Sequence, residues 1–92
     1  MIRVHPGRIL AREMEARELT ANALALALRV PANRISEIVA GRRAISPETA
    51  LRLARYFGTE AELWTRLQAD HDLQEARRRL QGDIEREVAP AA

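Results

Sequence analysis

The stretch TANALALALRVPANRISEIVAG, residues 20–41, decides the fold. Thr20 carries a hydroxyl that can cap a helix, and Leu19 before it can reach Leu24 as a hydrophobic staple that fixes the entry angle. From Ala21 to Leu28 every residue but Asn22 is Ala or Leu. A helix with so little polar face is expected to be buried. Arg29-Val30 then makes a tight turn, and Pro31 opens a second helix that is expected to run to about Ala40. Gly41 stops it, because glycine takes the left-handed conformation at little cost. In that second helix Ala32, Ile35, Ile38 and Val39 fall within about 120° of one another and are expected to pack inward. Asn33, Arg34, Glu37 and Ala40 are left on the opposite side.

The same punctuation continues on either side. Pro6 suits the first turn of a helix to about Ala16, with Ile9, Leu10 and Met14 facing inward. Arg42 to Ile45 form a short loop. Ser46 and Pro47 supply an N-cap and a first-turn proline for a fourth helix that buries Ala50, Leu53, Ala54 and Phe57 and ends at Gly58. Thr59-Glu60-Ala61-Glu62 has the pattern of a capping box, with Thr59 and Glu62 each satisfying the other's amide. A fifth helix is expected to follow, with Leu63, Trp64 and Leu67 inward and Trp64 packed between the fourth and fifth helices. No stretch alternates as a strand does, so the reading is all-α with five helices.

The last part departs from this regularity. Leu73, Ala76, Leu80, Ile84 and Val88 form a stripe spaced by three or four residues, about a quarter turn or more away from the Leu63–Leu67 face. Asp70, His71 and Asp72 lie between the two. Either the helix kinks there, or its second half faces a different surface. Gly82 weakens the helix by about 1 kcal/mol relative to Ala, which allows fraying, and Ala89-Pro90-Ala91-Ala92 is expected to lack order. The chain thus divides into residues 1–72 and a helical extension, residues 73–92, suited to dimerisation or partner binding.

Composition narrows the class. Ninety-two residues make one domain, 47% hydrophobic but only 3% aromatic, so its core must come from Leu, Ile, Val and Ala. The absence of cysteine rules out disulfides and thiolate metal sites. No segment has the apolar length of a membrane span, and no signal-peptide pattern opens the chain, so a cytoplasmic protein with no membrane partner is expected. Charge is unevenly placed. Residues 1–59 hold ten arginines against five acids, whereas residues 60–92 hold five against eight. A basic first part and an acidic last part suit two different partners. Every basic side chain is Arg, which grips phosphate bidentately and reads guanine edges.

Two short helices joined by a tight turn, the first nearly all apolar, make a helix-turn-helix. The second helix would then lie in the major groove of double-stranded DNA. Asn33 can read adenine, Arg34 guanine, and Glu37 can accept from cytosine. Thr20, Arg29, Ser36, Arg42 and Arg43 are expected on phosphates. Periodicity alone fits an ordinary solvated face equally well. The arginines in the turn and directly after the helix favour DNA, since they put positive charge where phosphates run. Arg52 and Arg55 can extend that track or be simple solvated arginines.

Several runs resemble a known family. Pro31 to Val39, Gly41-Arg42-Arg43-Ala44-Ile45 and Thr49 to Ala54 are similar to the HigA-type antitoxins. So are Phe57-Gly58-Thr59, Trp64, Leu67-Gln68, Asp72-Leu73, and His5-Pro6-Gly7 with Ile9-Leu10. The resemblance covers about residues 4–73. It implies a five-helix, lambda-repressor-like domain that forms homodimers and represses its own two-gene operon. It also implies neutralisation of a HigB-type toxin, a small basic endoribonuclease that cuts mRNA at the ribosome. The chain departs from the family pattern in having Ala21 for a glutamine after the capping Thr and Arg29 for the turn glycine. Arg29 must therefore take a positive φ or reshape the turn. Arg8 stands where an acid often follows the Pro-Gly.

Other readings find less support. Only His5 and His71 are histidines, and His71 cannot converge with its neighbours Asp70 and Asp72 on one metal, because adjacent helical residues diverge. His5 reads as a residue that opens the first helix. No catalytic triad or phosphate-binding glycine loop occurs, so neither an enzyme nor a cofactor is expected. Arg77-Arg78-Arg79 reads as a solvated face, with Glu75 pairing Arg78 or Arg79 and Arg79 pairing Asp83. If exposed, the Leu73–Val88 stripe would be an apolar patch that monomers seldom leave open. Folding back on the domain would cover it. Pairing with the same helix of a second subunit is preferred, because such readers bind two half-sites about 34 Å apart as symmetric dimers. The alternatives that remain are an antitoxin and a stand-alone repressor. The acidic last third favours the antitoxin, with Met1 to Val4 a second candidate toxin contact.

Overall fold

A computed structural model describes residues 4–91, and these contain five α-helices and no strand. The helices are α1 Pro6–Ala16, α2 Ala21–Leu28, α3 Ala32–Val39, α4 Pro47–Phe57 and α5 Ala61–Glu87. The core consists of Leu10 and Met14 from α1, Leu24, Ala25 and Leu28 from α2, and Ile35 and Ile38 from α3, closed by Ile45, Ala50, Leu53 and Trp64. α1 packs on α3 and α5, α2 on α3 and α4, and α4 on α5.

The helix starts follow the residues read as caps. His5 Nδ1 accepts the Gly7 N–H at 2.9 Å, Thr20 Oγ1 accepts from Ala23 at 3.0 Å, and Ser46 Oγ accepts from Thr49 at 3.2 Å. The ends of the four short helices share one geometry. A residue with positive φ follows the helix, and the next N–H returns to a carbonyl five residues back: Leu19 to Met14, Val30 to Ala25, Arg42 to Glu37 and Thr59 to Ala54. Gly41 and Gly58 take the positive φ at α3 and α4, but Glu18 (φ 54°) and Arg29 (φ 62°) take it at α1 and α2.

Four expectations need correction. Thr59 and Glu62 form no capping box: α5 is preceded by Glu60 with no side-chain cap, because the Thr59 hydroxyl accepts the Trp64 indole N–H at 3.0 Å instead. α2 is not buried all round. Its neighbours cover one side only, so Leu24, Ala25 and Leu28 are enclosed while Leu26 is 77% exposed. Ala32 and Leu63 also stay exposed, since the inward positions are filled by Ile35 and Ile38 on α3 and by Trp64 and Gln68 on α5. Asp83 pairs with Arg86 rather than Arg79, and Glu75 pairs with Arg78 at 3.1 Å.

α5 is one uninterrupted helix, and Gly82 does not break it. Its 27 residues span about 40 Å. Trp64 packs beside Phe57 and Gln68 is buried, but every residue from Arg77 to Ala91 is exposed. The projecting helix explains a radius of gyration of 16.0 Å, where a compact chain of this length has about 12 Å. Of the stripe, Ala76 is half-buried and Leu73, Leu80, Ile84 and Val88 are exposed, so it does not fold back on the domain. Among the described residues no helix is long and apolar enough to cross a membrane.

Candidate nucleic-acid interface

The outer face of α3 is the first candidate surface. Ile35 and Ile38 are fully enclosed and fix the rotation of the helix. Asn33 and Ser36 are then exposed, and Arg34 and Glu37 half-exposed, on the side away from the core. At its start, Pro31 provides no side-chain cap, and Pro31, Ala32 and Asn33 are all open. Uncapped amides and the positive end of the helix dipole favour an anion there. At the other end Gly41 turns the chain, and Arg42 and Arg43 follow, both exposed.

Two of the three expected base-reading side chains are already engaged. Both Nε and Nη2 of Arg43 lie 2.8 Å from Glu37 Oε1. Arg34 Nη1 lies 3.5 Å from Glu48 Oε1 in the first turn of α4. Ser36 Oγ donates to the Asn33 carbonyl at 3.2 Å, so that proton must turn outward to meet a phosphate. The Thr20 oxygen is used as a cap acceptor, which leaves its proton available. Arg29 is exposed in the turn with the positive φ that the missing glycine would have taken. Thus Asn33, Arg34, Ser36, Glu37 and Arg43 form one surface, with Arg42 at its edge and Thr20 and Arg29 at the two ends of α2.

Residues remote in sequence support this surface. Arg52 is not a solvated arginine: its Nη1 donates to the Leu28 carbonyl at 2.9 Å, and its Nε and Nη2 reach Glu48 Oε2 at 3.2 and 3.1 Å. It closes the exposed end of α2 and so sets the turn. Gln68, buried on α5, accepts the Ile45 N–H at 2.8 Å and donates to Asp72 at 2.9 Å. This holds the loop that carries Arg42 and Arg43. Gly7 lets α1 touch the end of α3, since a Cβ there would sit 1.9 Å from the Ile38 carbonyl oxygen. The sequence singles out neither Glu48 nor Gln68 as a site residue, and offers Arg52 only as an extension of the phosphate track. The signals available were Arg52 within the resembling run Thr49 to Ala54 and the Leu67-Gln68 pair.

His5 and His71 meet edge to face with ring centroids 4.8 Å apart, which joins the start of α1 to α5. Burial, and then the His71 ring, hold His5 below the ordinary imidazole range, while Asp72 pulls the other way.

The fold agrees with comparisons to known proteins. The helix-turn-helix family model HTH_3 matches residues 10–64. Virulence-associated protein I of Dichelobacter nodosus is 49% identical over 74 residues, which cover 79% of this chain and 68% of the relative. Across its curated relatives the chain spans between 61% and 76% of their length. A HigA-family addiction-module antidote protein from Coxiella burnetii superposes with a TM-score of 0.93 at 44% identity, over 98% of this chain and 99% of that one. The Pseudomonas aeruginosa antitoxin HigA, solved with the higBA promoter, gives a TM-score of 0.96 at 38% identity, over 99% and 100% of the two chains. The chain belongs to the helix-turn-helix family, and the solved structures that it matches over nearly its whole length include HigA-family antitoxins.

Proposed function

We propose that this chain is the cytoplasmic antitoxin of a two-gene toxin–antitoxin module. It represses its own operon by binding a palindromic operator as a homodimer, and it neutralises a HigB-type toxin. One observation carries the DNA reading: α3 is locked by Ile35 and Ile38 so that Asn33, Arg34 and Glu37 share an outer face, with Arg42 and Arg43 directly behind it. That combination suits base-reading groups on a groove floor and phosphate-binding groups at its wall. Thr20, Arg29 and Ser36 add phosphate contacts. The likeness to an antitoxin solved with its promoter supports the same reading.

The residue 73–92 extension serves assembly. Leu73, Leu80, Ile84 and Val88 are exposed along one side of α5, with Ala76 between them. Pairing this stripe with its copy in a second subunit covers it and yields the two-fold symmetry that a palindrome requires. The acidic residues of the last third suit a basic, RNA-binding toxin. Val4, the one described residue of the Met1–Val4 segment, is exposed and available to such a partner, while residues 1–3 lie outside the described residues.

A stand-alone repressor shares the DNA chemistry but lacks the toxin. Co-expression of the tagged chain with the small open reading frame beside its gene separates the two. A stoichiometric complex with a small basic protein that is toxic alone is the expected result. Sequence-specific promoter binding without any such complex would retire the antitoxin reading and leave a repressor.

A further inference from the structure

Glu48 is a carboxylate shared by two arginines on different helices. Oε2 accepts from Arg52 Nε and Nη2 at 3.2 and 3.1 Å, and Oε1 faces Arg34 Nη1 at 3.5 Å. Arg52 is itself fixed, since its Nη1 donates to the Leu28 carbonyl at 2.9 Å. The last carbonyl of α2 is thereby linked through Arg52 and Glu48 to the head of Arg34 on α3. The Glu48 side chain is 60% exposed, so these ion pairs add little to folding stability. An acid also works against DNA affinity, because it stands beside the surface proposed to meet phosphates.

We propose that Glu48 is a specificity-determining positioning residue that holds Arg34 for a base edge and withholds it from phosphates. The inference rests on the reading of Arg34 as a base contact. A guanidinium has five N–H groups, so one Nη1 directed at Glu48 leaves others free for the two acceptors of a guanine edge. Arg34 thus meets guanine with its head already placed and with less side-chain freedom left to lose. If Arg34 turned instead to a phosphate, Glu48 would keep only Arg52 and lose one of its two cations beside a second anion. Glu48 therefore penalises the sequence-independent mode more than the specific one. The pairing of Glu37 with Arg43 is a separate ion pair, whereas the carboxylate that faces Arg34 is that of Glu48.

The test compares the full chain with Glu48→Gln on two duplexes over a salt series. One duplex is selected from a random library by the wild-type protein, and the other is a scramble of equal composition. Glu48→Gln is expected to bind the scramble more tightly, with a salt slope steeper by about one as Arg34 gains a phosphate. The ratio of selected to scrambled affinity is expected to fall about fivefold or more. In an Arg34→Ala background the same substitution should change that ratio by less than about twofold, because contacting residues couple and independent ones add. Equal gains on both duplexes, or an equal change of ratio with and without Arg34, would overturn the role of Glu48 and leave DNA reading intact. Failure of the wild-type chain to select any sequence would overturn both.

Discussion

Replacing Gly7 by Ala probes the contact that seats α3. A Cβ built on Gly7 lies 1.9 Å from the Ile38 carbonyl oxygen and 2.8 Å from its carbon. Carbon and carbonyl oxygen in favourable contact sit about 3.3 Å apart, so α1 and α3 must separate by over 1 Å. Both neighbours are backbone, and no side-chain rotation relieves the overlap. Separation also loosens Leu10 from Ile35 and Ile38, which belong to the same buried cluster. Overpacking of this kind costs about 1–3 kcal/mol, and a backbone-on-backbone clash belongs at the upper end. For a domain of this size each kcal/mol moves Tm by about 4–8 °C, so Gly7→Ala should lower Tm by about 10–20 °C. Thermal unfolding followed by circular dichroism measures this. Gly82→Ala is the control: its nearest neighbour, Arg86 Nη1, lies at an ordinary 3.6 Å, and the helix gains about 1 kcal/mol. A Gly7→Ala protein melting within about 2 °C of wild type would refute the close approach of α1 to α3, because the overpacking penalty would be missing.

Three further outcomes follow from other parts of the fold. Arg29→Gly removes a left-handed non-glycine residue (φ 62°) and should raise stability by about 0.5–1 kcal/mol in urea titration. If Arg29 contacts a phosphate, the same variant binds DNA more weakly, with a shallower salt slope. Thr59→Val takes away the acceptor of the Trp64 indole N–H and should cost about 1–2 kcal/mol, with a change in Trp64 fluorescence; a neutral result would remove that bond from the account. His5 titrates below its unfolded value, so the unfolded chain binds the extra proton first. Its contribution is complete above the unfolded pKa of about 6.5 and is lost as pH falls through that value towards the folded one. The protonated ring also cannot accept the Gly7 N–H at Nδ1. Asn at position 5 keeps a cap acceptor without titrating, so Tm of His5→Asn should fall less between pH 7.5 and 5 than that of wild type; equal falls would place the acid sensitivity elsewhere.

Much of the fold was legible because its boundaries are written in residues with strong local preferences. Pro6, Thr20, Ser46 with Pro47, Gly41 and Gly58 each mark a helix end through backbone chemistry that needs no tertiary partner. The positive φ of Glu18 had no such mark, since it follows from closing Leu19 onto the Met14 carbonyl rather than from the residue itself. Thr59 shows the opposite failure. Its local pattern pointed to a cap, and a buried indole N–H took the hydroxyl instead. Leu26 was misjudged because a short apolar helix with neighbours on one side cannot bury its whole circumference.

The surface divides in the same way. The outer face of α3 follows from 3.6-residue periodicity, and the structure brings Asn33, Arg34, Glu37 and Arg43 together on it. What periodicity cannot supply are bonds that join distant segments. Arg52 reaches Leu28 across 24 residues, and Gln68 reaches Ile45 across 23. Neither bond has a local signature: Arg52 reads only as a surface cation, yet it ties down the end of α2 before α3, and Gln68 holds the loop after it.

Base-resolved footprinting of the wild-type chain, Arg34→Ala and Arg43→Ala on the promoter of its own gene tests most directly whether α3 reads a major groove. Wild type should protect two half-sites about 10 base pairs apart, or a multiple of that spacing. Arg34→Ala should lose about 1–3 kcal/mol and relax preference at one position per half-site, whereas Arg43→Ala should weaken all sequences alike and flatten the salt dependence. Unchanged affinity and preference in Arg34→Ala would contradict the assignment of this face as the reading surface.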